Sequence, residues 1–210
     1  YGGTAGYDLE LDGEWGTGYV VGAAYEIPEI AGRVSLTYNS AIEHDFDISE
    51  TGPLVDPDGP GPAPALALLD GRSRLTVKTP KSWNLEFQTG IDPNTLVFGS
   101  IRWVDWSSFR VDPEKLLQVT GSGLVDLDDT TTFTIGVGRT FTKTWSGVAS
   151  VTYEKSGSDL VSPLAPVNGR KGVSLAAIYT QDRIRITTGI SYTRLGDARP
   201  ETGTPDTARA

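Results

Sequence analysis

The 210-residue chain has no cysteine and a single histidine, His44. The first absence excludes a disulfide frame, a thiolate zinc site and a thiol nucleophile. The second leaves little for imidazole chemistry. Positive charge is also scarce: 18 Lys and Arg stand against 27 Asp and Glu, for a net charge of −9. That balance lacks the basic stripe a nucleic-acid partner needs, so none is expected. No apolar run approaches the ~20 residues of a membrane helix. This removes helical spans only, because a barrel strand needs just ~9–11 residues, with alternate ones apolar. Tyr1-Gly2-Gly3 lacks the basic start and apolar core of a signal peptide, so the leader of an exported protein is expected to have been removed or never included. What the chain does have is 25 glycines, 13 prolines and recurrent Thr, Tyr and Trp. Such a composition suits many strands and many loops.

Period-2 alternation predicts eight strands. The first runs from about Trp15 to Ile27, with Tyr19, Val21, Ala23, Tyr25 and Ile27 on one face. The second, about Gly32 to Phe46, groups Val34, Leu36, Tyr38 and Ile42. The third, about Lys81 to Ile91, sets Trp83, Leu85, Phe87 and Ile91 against Asn84, Glu86 and Gln88. The fourth is about Thr95 to Ser107. In the fifth, Thr131 to Thr142, Phe133, Ile135, Val137 and Phe141 oppose Thr134, Gly136, Gly138 and Thr140. In the sixth, Thr144 to Glu154, Trp145, Gly147, Ala149, Val151 and Tyr153 share a face. The seventh, Gly172 to Thr180, groups Val173, Leu175, Ala177 and Tyr179. The eighth, Arg183 to Arg194, sets Ile184, Ile186, Ile190 and Tyr192 against Arg185, Thr187, Gly189, Ser191 and Thr193.

The connections alternate in length. Short ones fall at Pro28–Ala31, Asp92–Asn94, Lys143 and Gln181–Asp182; long ones span Asp47–Pro80, Phe109–Thr130 and Lys155–Lys171. Short turns at one end and long loops at the other are the habit of an outer-membrane barrel, and a soluble sandwich has no reason to sort its loops this way. Phe133 and Phe141 lie eight residues apart on one face, as do Trp145 and Tyr153. Eight residues of tilted strand climb roughly 20 Å, close to the ~25 Å apolar band between aromatic girdles. Arg139 sits awkwardly on the apolar face, one step from Phe141, where it is expected to snorkel to the interface.

The stretch Gly99–Arg110, "GSIRWVDWSSFR", tests the scheme. Val97, Gly99, Ile101 and Trp103 share the lipid parity, while Ser100 and Arg102 point into a wet lumen. Asp105 has the parity of Trp103, so the strand must have left the hydrocarbon before it. A sandwich core is the competing reading, and it must explain Arg102 and Asp105 on opposite faces.

In "TPKSWNLEFQTGIDPNTLVFGSIRWVDWSSF", Pro80 leads a strand, Asp92-Pro93-Asn94 turns it, and the next strand ends in Trp103-Val104-Asp105-Trp106-Ser107. This stretch resembles the FadL-type outer-membrane transporters of long-chain fatty acids and aromatic hydrocarbons. "GRVSLTYNSAIEHDF" is similar to the family's R-x-G-x-x-Y-x-S strand at Arg33, Tyr38, Ser40 and His44, with Ser35 where glycine is usual. "WGTGYVVGAAYEI", "PLAPVNGRKGVSLAAIYT" and "ISYTRLGDA" fit in order and spacing. The resemblance implies a fourteen-stranded barrel plugged by an N-terminal hatch, a location in the bacterial outer membrane, and passive uptake of hydrophobic molecules without a cofactor. Residues 1–210 are then expected to form one transmembrane barrel segment, strands six to thirteen, without the hatch and the last strand. The fold class expected is all-β: a transmembrane antiparallel up-and-down β-barrel. A self-contained eight-stranded structural or adhesive barrel is the alternative, and a soluble lipid-carrying barrel with its apolar faces turned inward is a third.

Candidate chemistry is sparse, and no enzyme activity is expected. Ser40 and His44 share parity, but four residues along one strand is ~13 Å, too far for a hydrogen bond. Asp126, Asp128 and Asp129 lack a full calcium ligand set and read as a solvated acidic loop. In the loop "PDGPGPAPALALLDGRSR", Leu66, Leu68 and Leu69 form an apolar cluster of the kind that marks a binding surface. The resemblance makes this loop part of an outer groove that first captures the ligand, with Arg72 or Arg74 near a carboxylate head group; a short helix packed on the rim is the other reading. Arg102, Arg185, Glu86 and Gln88 are expected to line the lumen or contact the hatch. The expected partners are a long-chain fatty acid or aromatic hydrocarbon and the lipid bilayer, with the protein a monomer.

Overall fold

A computed structural model describes residues 8–52, 71–121, 123–157, 160–161 and 167–200. Eight antiparallel strands form one sheet in simple up-and-down order: β2 (Val20–Ile27), β3 (Gly32–Asn39), β6 (Ser82–Asp92), β7 (Thr95–Val104), β8 (Thr130–Thr140), β9 (Trp145–Glu154), β11 (Arg170–Gln181) and β12 (Ile184–Leu195). The other strands are β1 (Asp8–Leu11), β4 (Ile42–Thr51), β5 (Gly71–Thr79), β10 (Leu160–Val161) and β13 (Arg199–Pro200), and the α-helix is α1 (Glu114–Thr120). Among the described residues β2 and β12 each have one partner, so the eight strands do not close on one another.

The pairing register makes the two faces continuous. Residues of one parity meet across every ladder: Tyr38 with Trp83, Leu85 with Ile101, Ile135 with Val151, and Leu175 with Ile190. This face is apolar and unburied. Trp145 is 48% exposed, Val151 50% and Ile186 57%. A dry protein interior would have covered these rings and branched chains. Instead the sheet offers a broad apolar surface bounded by aromatic rows. Tyr19, Tyr38 and Trp83 contact one another in series at the long-loop end, and Trp145 meets Tyr179 at the turn end. A face of this kind is stable against hydrocarbon, not water. The fold is therefore a run of transmembrane up-and-down β-barrel strands.

The tight turns follow from their residues. Ala31 takes the left-handed region (φ 49°) and its N–H donates to Pro28 O. The Asp92 carboxylate accepts from Asn94 N at 2.8 Å, an Asx turn. Asp182 also has positive φ (52°), which a short polar side chain tolerates.

One expected strand divides. The sequence pattern suggests a single strand from Gly32 to Phe46, whereas β3 ends at Asn39 and β4 starts at Ile42. The register Asn39↔Ser82 resumes as Ile42↔Thr79 without slipping. Pro80 lies opposite the gap, and a proline supplies no N–H to a ladder. The β3–β6 ribbon therefore continues past the membrane as the β4–β5 hairpin, which β1 extends to three strands. The buried apolar residues Ile48, Leu75, Leu116 and Val125 gather in this outer region, each at most 3% exposed.

Candidate functional site: the lumen wall and the outer rim

The second face of the sheet is polar at the long-loop end. Arg102 donates to Asn84 Oδ1 at 2.7 Å. Ser35 Oγ donates to Glu86 at 3.3 Å; nearer the turns, Gln88 Nε2 donates to Ala31 O at 3.4 Å. Farther round, Arg170 pairs with Glu154 at 3.2 Å, and Thr132 donates to the same carboxylate. Thr134 and Thr152 bond at 3.2 Å. These cross-strand pairs satisfy the polar groups by rows, as a wet wall requires. Of the residues expected to line the lumen, Glu86, Gln88 and Arg102 come together on neighbouring strands β6 and β7. Arg185 does not join them. It shares the parity but lies at the turn end of β12, opposite Thr180 and several strands away.

Toward the turns of β7, β9 and β11 the same face carries an apolar patch, with the Arg33–Glu26 pair (3.6 Å) and Gln88 beside it at the depth of Phe98. The register places Leu96 opposite Gly138, Phe98 opposite Gly136, Val148 opposite Ala176, and Ile178 opposite Ser146. Gly136 is required beneath Phe98: a Cβ there would stand 2.4 Å from the ring. These residues escaped the sequence reading. Alternation marks Leu96 and Phe98 as off the lipid face, but only the register shows that apolar residues from several strands meet there.

At the rim, Asp105 follows β7 directly, outside the span as expected. It pairs with Lys81 at 3.1 Å and accepts from Ser107 Oγ at 3.1 Å. The Lys81 hydrogen bond, helped by Ser107, holds its carboxyl below the ordinary carboxylate value against the opposing effect of burial. Ser107 N donates to Asp129, and Asp126 pairs with Arg110 at 2.9 Å. These two acids of the acidic loop thus serve separate parts of the rim, and no metal-binding group occurs among the described residues. Ser40 Oγ accepts from Tyr19 N at 2.8 Å, while His44 stacks on Phe46.

Glu50 is fully buried and ties the outer pieces together. Its carboxyl accepts from Leu116 N at 3.2 Å and from Ser73 Oγ, which joins α1 to the β4–β5 hairpin. Arg72 and Arg74 lie on the exposed face of β5, with Arg74 3.9 Å from Asp47. Leu66, Leu68 and Leu69 fall outside the described residues.

An apolar outward face, a lumen face with a polar mouth and a deeper apolar patch, and loops sorted by end together define the wall of a membrane-spanning barrel. The chain belongs to the outer membrane protein transport protein family (OMPP1/FadL/TodX), whose family model matches residues 7–204. Among solved structures it is similar to a FadL homologue of Pseudomonas aeruginosa, with 18% identity and a TM-score of 0.63 over 88% of this chain and 45% of that one. It is also similar to the CymD monoaromatic hydrocarbon channel, with 16% identity and a TM-score of 0.52 over 90% and 51%. At such identities the likeness carries the fold. The chain spans about half the length of these structures. No curated protein matches it in sequence.

Proposed function

We propose that this chain forms part of the wall of an outer-membrane channel for passive uptake of hydrophobic compounds. The observation that carries the reading is an apolar patch on the lumen face of β7, β9 and β11: Leu96, Phe98, Val148, Ala176 and Ile178, beneath the polar mouth of Glu86, Arg102, Glu154 and Arg170. A purely aqueous pore has no use for such a lining. A hydrophobic solute gains ~25 cal/mol for each Å² it removes from water, so the wall offers a downhill first step without an energy source. Capture begins, on this reading, at the outer loop bearing Leu66, Leu68 and Leu69. Arg72 and Arg74 supply a positive edge for the carboxylate of a long-chain fatty acid. Membership of the family supports an outer-membrane location and a hydrophobic cargo.

The test is uptake by the intact protein in cells or proteoliposomes. Phe98→Asp and Ile178→Asp should each reduce uptake of a hydrophobic probe while leaving heat-modifiable gel migration, the sign of a folded barrel, intact. Folded variants with undiminished uptake would remove the lumen path. Replacing Arg72 and Arg74 by Gln should weaken binding of a fatty acid but not of toluene. Equal losses for both ligands would reject the carboxylate role.

A further inference from the structure

The apolar outer face is not smooth. A groove of about 730 Å³ runs along it toward the turn end of β8, β9, β11 and β12. Small residues form its floor: Gly147, Ala149 and Ala177. Val137, Leu175 and Ile190 wall it toward the middle of the strands, and Phe141 and Trp145 close it at the turn end. Gly147 is needed for this shape, because a Cβ there would come 2.8 Å from the Phe141 ring. The groove opens outward, away from the lumen. The register shows this for most of the lining: Val137 pairs with Ala149, Arg139 and Ala177 with Gly147, and Leu175 with Ala149 and Ile190, all of the lipid parity, while Ser146, Val148, Ala176 and Gly189, of the lumen parity, complete it between them.

Arg139 stands in the same lining. A cation on the lipid face is costly at mid-membrane and nearly free at the interface, and its place beside the turn-end aromatic row puts it at the interface. Among the described residues it makes no ion pair within 4 Å. Asp92, at the end of β6, is the acid that acts on it electrostatically, from a greater distance. Lys143 follows in the turn itself. Thr95, opposite Arg139 in the β7–β8 register, also lines the groove and is 7% exposed.

We propose that this groove is a specific phospholipid site in the leaflet on the turn side. One acyl chain lies over Gly147, Ala149 and Ala177, and the phosphate is held by Arg139. A recess within the hydrocarbon band of a barrel is filled by hydrocarbon, because lipid is its solvent. A guanidinium at the polar end of that recess then selects lipids that carry a phosphate there, through paired N–H donors. The site rests on the membrane-spanning fold and is independent of the transport reading.

Native mass spectrometry of the intact detergent-solubilised protein tests it. The probes are phosphatidylglycerol and a diacylglycerol with the same chains. The wild type should retain one phosphatidylglycerol in preference to diacylglycerol. Arg139→Gln should weaken phosphatidylglycerol about fivefold, the effect of one basic residue at an anionic surface, and leave diacylglycerol unchanged. Ala177→Phe, or Ala149→Phe if that variant folds better, should abolish retention of both. Heat-modifiable migration confirms folding, and uptake of a hydrophobic probe should be unaffected. No discrete retained lipid, or equal retention by wild type and both classes of variant, would overturn the site. Failure of uptake in otherwise lipid-binding protein would count against the channel reading alone.

Discussion

Removing the Glu50 carboxyl should release the outer helix without loosening the barrel. Glu50 is fully buried, and its two oxygens bridge elements separated widely in sequence: Leu116 N on α1 at 3.2 Å and the Ser73 hydroxyl on β5. Glu50→Ala deletes these two bonds among its contacts and takes this acceptor from the buried end of α1. A hydrogen bond to a carboxylate contributes about 1.5–3 kcal/mol and a second, weaker one about 1 kcal/mol, for a sum of about 2.5–4 kcal/mol. That corresponds to a roughly 70- to 900-fold rise in local opening. Amide hydrogen exchange of the intact protein reads this directly. Exchange should accelerate in Glu114–Thr120 and in Gly71–Thr79, while β8 and β9 keep their protection. Glu50→Gln retains an acceptor for Leu116 N and should cost about tenfold or less. If helix exchange stayed within threefold of wild type, or if β8 and β9 loosened equally, the carboxyl would not be the tie between rim and barrel.

Other perturbations separate the faces and the rim. Leu175→Arg, on the lipid face, should destabilise the barrel by about 2–4 kcal/mol in vesicle refolding, while Ser174→Arg, pointing to the lumen, should cost far less; equal losses would dismiss the assignment of faces. Gly99→Ala should destabilise by about 1–3 kcal/mol, because its Cβ would meet the Phe87 ring at 2.5 Å and Thr134 O at 2.8 Å; unchanged refolding would show that the sheet can yield there. Asp105 has its carboxyl value lowered chiefly by Lys81. The stability this adds is present above the unfolded carboxylate value near 3.9 and is lost as pH falls through the lower folded value. In Lys81→Met the acid transition of the rim, followed by Trp106 fluorescence, should move to higher pH, and an unmoved midpoint would deny the pairing.

The sheet was legible because β structure in a membrane writes its faces into the sequence with period 2. Trp145, Val151 and Ile186 could be assigned outward from parity alone, and the parity-sorted loops fixed which end was which. The break at Ser40–Ala41 was less visible. Its cause, Pro80, lies forty residues away and acts only once the β3–β6 register sets it opposite the gap. The apolar patch of the lumen failed to show for the same reason. Phe98, Val148 and Ile178 are isolated exceptions on polar faces until pairing gathers them. Glu50 gave no signal at all. A glutamate in a strand reads as solvated, and nothing local announces that an N–H of α1 will close over it.

The two edges of the sheet carry the last consequence. β12 is a twelve-residue strand and β2 an eight-residue one, each unpaired on its outer side among the described residues. Soluble proteins blunt such edges with prolines, bulges or inward charges. Neither strand contains a proline, and β2 carries a single charge, Glu26. About half the backbone groups of an edge strand point away from the sheet. In hydrocarbon each unpaired group costs several kcal/mol, so the open edges would cost some tens of kcal/mol on the order of magnitude. The eight strands of this sheet, as the described residues pair them, should therefore not insert as an open sheet. Expressed by themselves and offered to vesicles, they should aggregate or remain protease-sensitive, and should become protected only when further strands of the barrel are supplied. A compact, heat-modifiable band from this chain alone would contradict that expectation. It would mean that β2 and β12 find each other and that eight strands close into a small barrel.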